Sequence, residues 1–270
     1  MTKTIGAGFA ALLLISAQAL AQVAPNLGSA APFAVLGANA IPTVGTVTCT
    51  DLGPGTAING DVGSTFNSIT NTGCTINGTV TAPVAASVVN DFNAAFASID
   101  AQNPCTGVIP TTTTTLNPGV YCSTAGTTIG AGVIITLNGN SNELFVFRVG
   151  TGGLGALTLN SAQIVLGSKG ARACNVFFKT AEATTLTSST FVGTVLAGTA
   201  FSMTGGSLIG RALARTDATI TDAAPLTFAG CAAAPAGSVV TVPTLSEWAM
   251  ILLAMLMAAA GIAAMRRRVR

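Results

Sequence analysis

Five short segments in the second half of the chain carry hydroxyl or amide side chains on either side of one apolar residue. They are Thr136-Leu137-Asn138, Thr158-Leu159-Asn160, Thr185-Leu186-Thr187, Ser202-Met203-Thr204 and Thr219-Ile220-Thr221. In an extended strand, alternate side chains point to opposite faces. Each middle residue therefore turns inward and its two neighbours turn outward. Stacked, the segments give one outward column of Thr136, Thr158, Thr185, Ser202 and Thr219, and a second of Asn138, Asn160, Thr187, Thr204 and Thr221. Neighbouring strands lie about 4.8 Å apart, and alternate residues along a strand about 6.6–7 Å apart. The columns hold no Lys, Arg, Asp or Glu. Threonine is stiff at χ1, so its hydroxyl and methyl are held in place before anything binds. Such a plane can order water into a lattice-like layer. Threonine is also simply a good strand residue, so a solvated face without a ligand is the competing reading.

Other chemistries fare worse. Outside the two ends of the chain, eight acidic residues are scattered. Asp217 and Asp222 are the closest late pair, Asp51 and Asp61 fall near expected turns, and the chain has no His. Paired catalytic carboxylates or a base beside a bound cation are hard to assemble from these, so an enzyme is not expected. Six basic residues against eight acidic ones leave no basic stripe for nucleic acid. The cysteines, Cys49, Cys74, Cys105, Cys122, Cys174 and Cys231, show no CxxC spacing, so neither a metal nor another cofactor is expected. Their even number suits disulfides in an oxidising compartment. Sequential pairing, 49–74, 105–122 and 174–231, closes the shortest loops.

The elements that must position the Thr columns follow from a repeat. The last two steps between triplets are 17 residues each, and the segments FVGTVLAG at 191–198 and LIGRALAR at 208–215 recur in phase. A fixed period of short β-prone pieces with Gly at corners is the mark of a solenoid. Leu137, Leu159, Leu186, Met203 and Ile220 then form an inner ladder, and Gly193 and Gly210 suit tight corners. One helix, about 83–103, interrupts the pattern. Val88, Phe92, Phe96 and Ile99 lie on one stripe of it, and Leu196 and Leu213, outward by alternation, offer the surface on which it can lie. Arg148, Lys179 and Arg211 are read as one further column on a solvated edge. The run of threonines at 111–115 precedes a Leu-Asn-Pro-Gly turn and reads as an entry strand or loop.

The ends read as export machinery. Residues 1–21 have a basic start at Lys3, an apolar run and the small-x-small site Ala19-Leu20-Ala21, the pattern of a signal peptide read by signal peptidase. Residues 249–265 are apolar or small and, as a helix, span about 25 Å, near the lower limit for crossing a bilayer. Trp248 on one side and Arg266, Arg267, Arg268 and Arg270 on the other place the main domain outside the membrane. Pro243-Thr244-Leu245-Ser246-Glu247-Trp248, the apolar segment and the terminal arginines together resemble the IPTL-type C-terminal tail. That resemblance implies processing by an exosortase-like enzyme at a Gram-negative envelope; a plain tail anchor is the alternative.

The body is similar to the ice-binding proteins of bacteria, algae and fungi. The resemblance rests on LGSAAPFAVLGA near the start, INGDVG at 58–63, LNPGVY at 116–121, ELFVFRVG at 143–150, ACNVFF at 173–178 and the two 17-residue segments, in that order. It implies a mainly β fold: a right-handed, discontinuous β-solenoid with a long α-helix along one side and a flat face that meets ice. The expected division is a signal peptide at 1–21, the solenoid at 22–232, a linker at 233–242 and a sorting signal at 243–270 with a transmembrane segment at 249–265. The expected partner is an ice crystal surface, with membrane contact through the C-terminal helix before processing. The protein is expected in the cell envelope or outside the cell. The rival function is an adhesive or biofilm-matrix protein that binds no ice.

Overall fold

Pieces of two to eight residues, each too short to bury a face alone, become strands because they stack on one another. The computed structural model describes residues 22–39, 44–53, 55–102 and 104–228. Seven strands pair in parallel in the spatial order Thr127–Ile129, Leu157–Asn160, Thr184–Thr187, Phe201–Thr204, Ala218–Thr221, Val47–Thr50 and Thr70–Thr72. A fifteen-stranded sheet forms the remaining walls. The stack departs from chain order. The early strand Val47–Thr50 docks on the late strand Ala218–Thr221, and Phe33–Gly37 inserts between Ser207–Ala214 and Asp61–Ser64. The solenoid is thus discontinuous, with the early coils extending the pile beyond the last ones.

The interior is a set of ladders. Ile129, Leu159, Leu186, Met203, Ile220 and Cys49 pair in register behind the seven-stranded sheet and are fully buried. On the opposite wall Phe147 stacks on Phe178 with ring centroids 4.1 Å apart. Each such side chain contributes about 1.5–3 kcal/mol on leaving water. Gly193 and Gly210 pair inside the eight-residue strands Thr190–Ala197 and Ser207–Ala214, with φ of 122° and 147°. There one strand turns between two walls: Thr190 pairs with Gln163, while Thr194–Ala197 pair with Phe177–Thr180. A Cβ on Gly210 would collide with the Gly193 carbonyl, so the expected corner role holds.

The helix α1 runs Ala86–Asp100, shorter at both ends than the expected 83–103. Val88, Phe92, Phe96 and Ile99 are buried as their spacing predicts, and they pack in one cluster with Leu196, Leu213, Val120, Val146 and Phe177. The expectation of a solvated edge at Arg148, Lys179 and Arg211 is corrected. Arg148 and Lys179 share a column, Arg211 falls in the next one beside Thr194, and all three are buried. Alternation told which way they point but not that α1 and the short helix Gly28–Ala30 lie over them. Lys179 hydrogen-bonds Asp100, and its Nζ sits 4.3 Å from the centre of the Phe96 ring. Arg148 Nη2 lies 3.7 Å from Asp100 Oδ1, and its Nη1 donates to the Gln102 carbonyl at 2.9 Å, past the last turn of α1. Arg211 donates to the Ala31 carbonyl, and burial pushes its guanidinium down to about 10.

Two disulfides join the expected pairs, Cys49–Cys74 and Cys105–Cys122. Cys174 is also disulfide-bonded, while Cys231 lies outside the described residues. The terminal helices are removed from the fold. Among the described residues no helix is long and apolar enough to cross a membrane, and α1 is an amphipathic fifteen-residue element held on the sheet. The expected membrane contact through a C-terminal helix is withdrawn with them. Residues 1–21, the sorting motif Pro243–Trp248 and the segment 249–265 lie outside the described residues. The architecture is mainly β with one long helix packed on a side.

Candidate functional site

The outward side of the seven-stranded sheet carries two columns in continuous register. The first runs Thr128, Thr158, Thr185, Ser202, Thr219, Thr48 and Thr70. The second runs Asn160, Thr187, Thr204, Thr221, Thr50 and Thr72. None of these residues is buried, and none belongs to the cluster that holds α1, so the helix leaves this face open. Within each column, residues of neighbouring coils lie about 4.8 Å apart.

Eight of the ten predicted residues therefore share one face: Thr158, Asn160, Thr185, Thr187, Ser202, Thr204, Thr219 and Thr221. Thr136 and Asn138 do not. Their strand, Ile134–Leu137, belongs to the fifteen-stranded sheet, where Thr136 pairs with Thr115 and Val165. The Thr-Leu-Asn spelling satisfies alternation equally well on any wall, and only the corner positions decide which wall it occupies. The sequence reading missed Thr128, which fills the place expected for Thr136. It also missed Thr48, Thr50, Thr70 and Thr72 from the early coils. A signal for two of them was present: Thr48-Cys49-Thr50-Asp51 spells the same pattern as Thr219-Ile220-Thr221-Asp222.

The chain leaves the face through a repeated left-handed corner. Ser161, Ser188, Gly205 and Asp222 follow the second column with φ of 49°, 47°, 64° and 47°. Their amides continue the ladder: Ser161 to the Thr187 carbonyl, Ser188 to Thr204, Gly205 to Thr221 and Asp222 to Thr50, all at 2.8–2.9 Å. The second column thus ends on a line of corners that fixes where each coil turns.

Charge is confined to the rims. Asp217, just before the first column, accepts from Thr46 Oγ1 at 2.7 Å and from its amide at 3.3 Å. Asp222 accepts from the Leu52 amide at 2.7 Å, and Asp51 accepts from the Gly55 and Thr56 amides at 3.1 Å. These carboxylates organise turns, including the walls of an open cleft of about 620 Å³ around Asp51, Leu52 and Asp222. Among the described residues no group of three His, Cys, Asp or Glu could hold a metal ion. What the arrangement can do chemically is present hydroxyls and methyls at fixed intervals to a repeating, uncharged partner.

The sequence family described as ice-binding-like matches residues 35–224, and the IPTL-CTERM motif matches residues 242–267. No curated protein matches the chain. Among solved structures, an ice-binding protein from an Antarctic biological consortium is 28% identical, with a TM-score of 0.63 over 77% of this chain and 94% of its own. An ice-binding protein from an Antarctic Flavobacteriaceae bacterium is 31% identical, with a TM-score of 0.62 over 75% of this chain; the match spans 47% of that longer chain. The DUF3494 domain of a Shewanella frigidimarina ice-binding protein is 26% identical, with a TM-score of 0.61 over 76% of this chain and 98% of its own.

Proposed function

Because this chain belongs to the ice-binding-like family, we propose that it adsorbs to ice through the open side of the seven-stranded sheet and slows crystal growth or recrystallisation. The observation that carries this reading is the unbroken register of two charge-free columns over the coils from Leu157–Asn160 to Thr70–Thr72. The adsorbing residues in this reading are the eight predicted ones on the sheet, joined by Thr128, Thr48, Thr50, Thr70 and Thr72. Stiff side chains on hydrogen-bonded strands lose little freedom on meeting a solid, so weak contacts can sum across the plane. The protein is a binding protein and not an enzyme.

Export to the cell envelope or the extracellular space is supported by the IPTL-CTERM match, as is handling by an exosortase-like enzyme. A Gram-negative host is our reading of that tail. The test is ice coarsening in a frozen sucrose film containing the purified protein. Slower coarsening than in buffer is expected, and Thr204→Lys should abolish most of the difference. Coarsening at the buffer rate would favour the adhesive or matrix role instead.

A further inference from the structure

The last coil of the adsorbing face is built differently from the rest. Its strand Thr70–Thr72 is exposed at all three positions and has a single partner in the sheet, Val47–Thr50. At the inner-ladder position, where other coils place Ile129, Leu159, Leu186, Met203 or Ile220, this coil places Asn71 in register with Cys49. Asn71 is spent on its own turn: its amide nitrogen donates to the Cys74 carbonyl at 3.0 Å, and its oxygen accepts from the Cys74 amide at 3.1 Å. The next two strands of the coil, Thr75–Ile76 and Val80–Thr81, likewise pair on one side only, and Ile69 and Ile76 are only partly buried. The coil has no apolar key in the ladder. In its place it has a covalent one. Cys49 is fully buried directly behind Thr48 and Thr50, and its bond to Cys74 fastens the residue two places beyond Thr72.

We propose that the Cys49–Cys74 disulfide is a positioning device that sets the length of the adsorbing plane. With the bond the columns reach Thr70 and Thr72; without it they end at Thr48 and Thr50 while the coils behind them persist. This rests on the reading that the seven-stranded face adsorbs ice.

The test compares the full chain with a variant carrying both Cys49→Ala and Cys74→Ala. Hydrogen exchange should show lost amide protection across residues 65–82 and retained protection across 184–221. The variant should need several-fold more protein to give the same slowing of coarsening. Thr72→Lys should weaken the intact protein but change nothing further in the variant lacking the Cys49–Cys74 bond, because the coil has already left the plane. Adding Asn71→Leu to the chain without the Cys49–Cys74 bond supplies the missing apolar key and should restore both protection and inhibition. Removing the Cys105–Cys122 bond with Cys105→Ala and Cys122→Ala should leave inhibition unchanged, since that bond fastens Gly107–Val108, outside this sheet.

Unchanged protection at 65–82, or an equal cost of Thr72→Lys with and without the bond, overturns the proposal. So does a Thr70→Lys, Thr72→Lys double substitution that leaves the intact protein's inhibition untouched, a test that needs no disulfide removed. An intact protein that never slows coarsening overturns the ice reading itself, whatever the exchange data show.

Discussion

Two walls of this solenoid are made by the same rule and meet opposite fates. Both are parallel ladders with buried apolar residues inside and a regular set of side chains outside. On the seven-stranded wall the outward set is Thr, Ser and Asn, and it stays open. On the wall through Phe145–Val149, Val176–Thr180 and Thr190–Ala197 the outward set includes Val146, Phe177 and Leu196 beside Arg148 and Lys179, and α1 covers it. The lesson is that strand pairing supplies a periodic surface and the outward chemistry decides its partner. Apolar columns with a few cations recruit a piece of the same chain. Charge-free hydroxyl columns recruit no element among the described residues and stay open.

Ordered by their effect on stability, four measurements probe that contrast. Phe92→Ala empties a fully buried site between α1 and the sheet and should cost about 3–5 kcal/mol in denaturant unfolding. Inhibition of ice growth per folded molecule should not change; a proportional loss would mean that the two walls are coupled. Arg148→Ala leaves the end of α1 without its carbonyl partner and Asp100 with one cation fewer. Asp100 is half exposed, so solvent screens that pair and the cost should be about 1–2 kcal/mol. Thr204→Lys on the open wall should change stability by no more than about 0.5 kcal/mol while removing most of the inhibition. If stability falls and inhibition stays, the assignment of the walls is reversed.

The smallest effect concerns acid. The Ser29 amide, 2.6 Å from Asp91 Oδ2, holds the Asp91 carboxyl below its ordinary 3.8 and so ties Gly28–Ala30 to α1. A carboxyl lowered on folding stabilises the native state above the ordinary value and loses that contribution as pH falls through the lowered one. The protection of the Ser29 amide, relative to its intrinsic exchange rate at each pH, should therefore fall on acidification below 3.8. The strands of the open wall, whose two columns contain no titratable side chain, should stay protected over the same titration. Parallel loosening of both walls would show that the covered one does not respond separately.

Much of this was legible in the sequence, for identifiable reasons. The 17-residue steps fixed the coils of Thr185, Ser202 and Thr219 because nothing is inserted between them. Leu196 and Leu213 were readable as the seat of α1 because they recur in phase and would otherwise be exposed. Sequential disulfides at 49–74 and 105–122 followed from loop length. Thr136 was misplaced because inserted loops hide which corner precedes it, and a hydroxyl–apolar–amide triplet fits either wall. The early coils escaped because their neighbours are distant in the chain: no local period links Thr48 to Thr219. The burial of Arg148 and Lys179 is not legible from alternation, because alternation is a property of one strand and cover is a property of the whole fold.

The joining of an early strand to a late one has a consequence for how the molecule comes into being. Thr46 bonds Asp217 across 171 residues at the seam where Val47–Thr50 meets Ala218–Thr221. The strands from 184 to 221 can zip together as they appear, each on the one before. The plane is complete, however, only after nearly the whole domain has been made and its beginning has returned to its end. Contacts of such long separation are slow to form, so the assembly of this surface is timed by the meeting of two distant segments rather than by the growth of either.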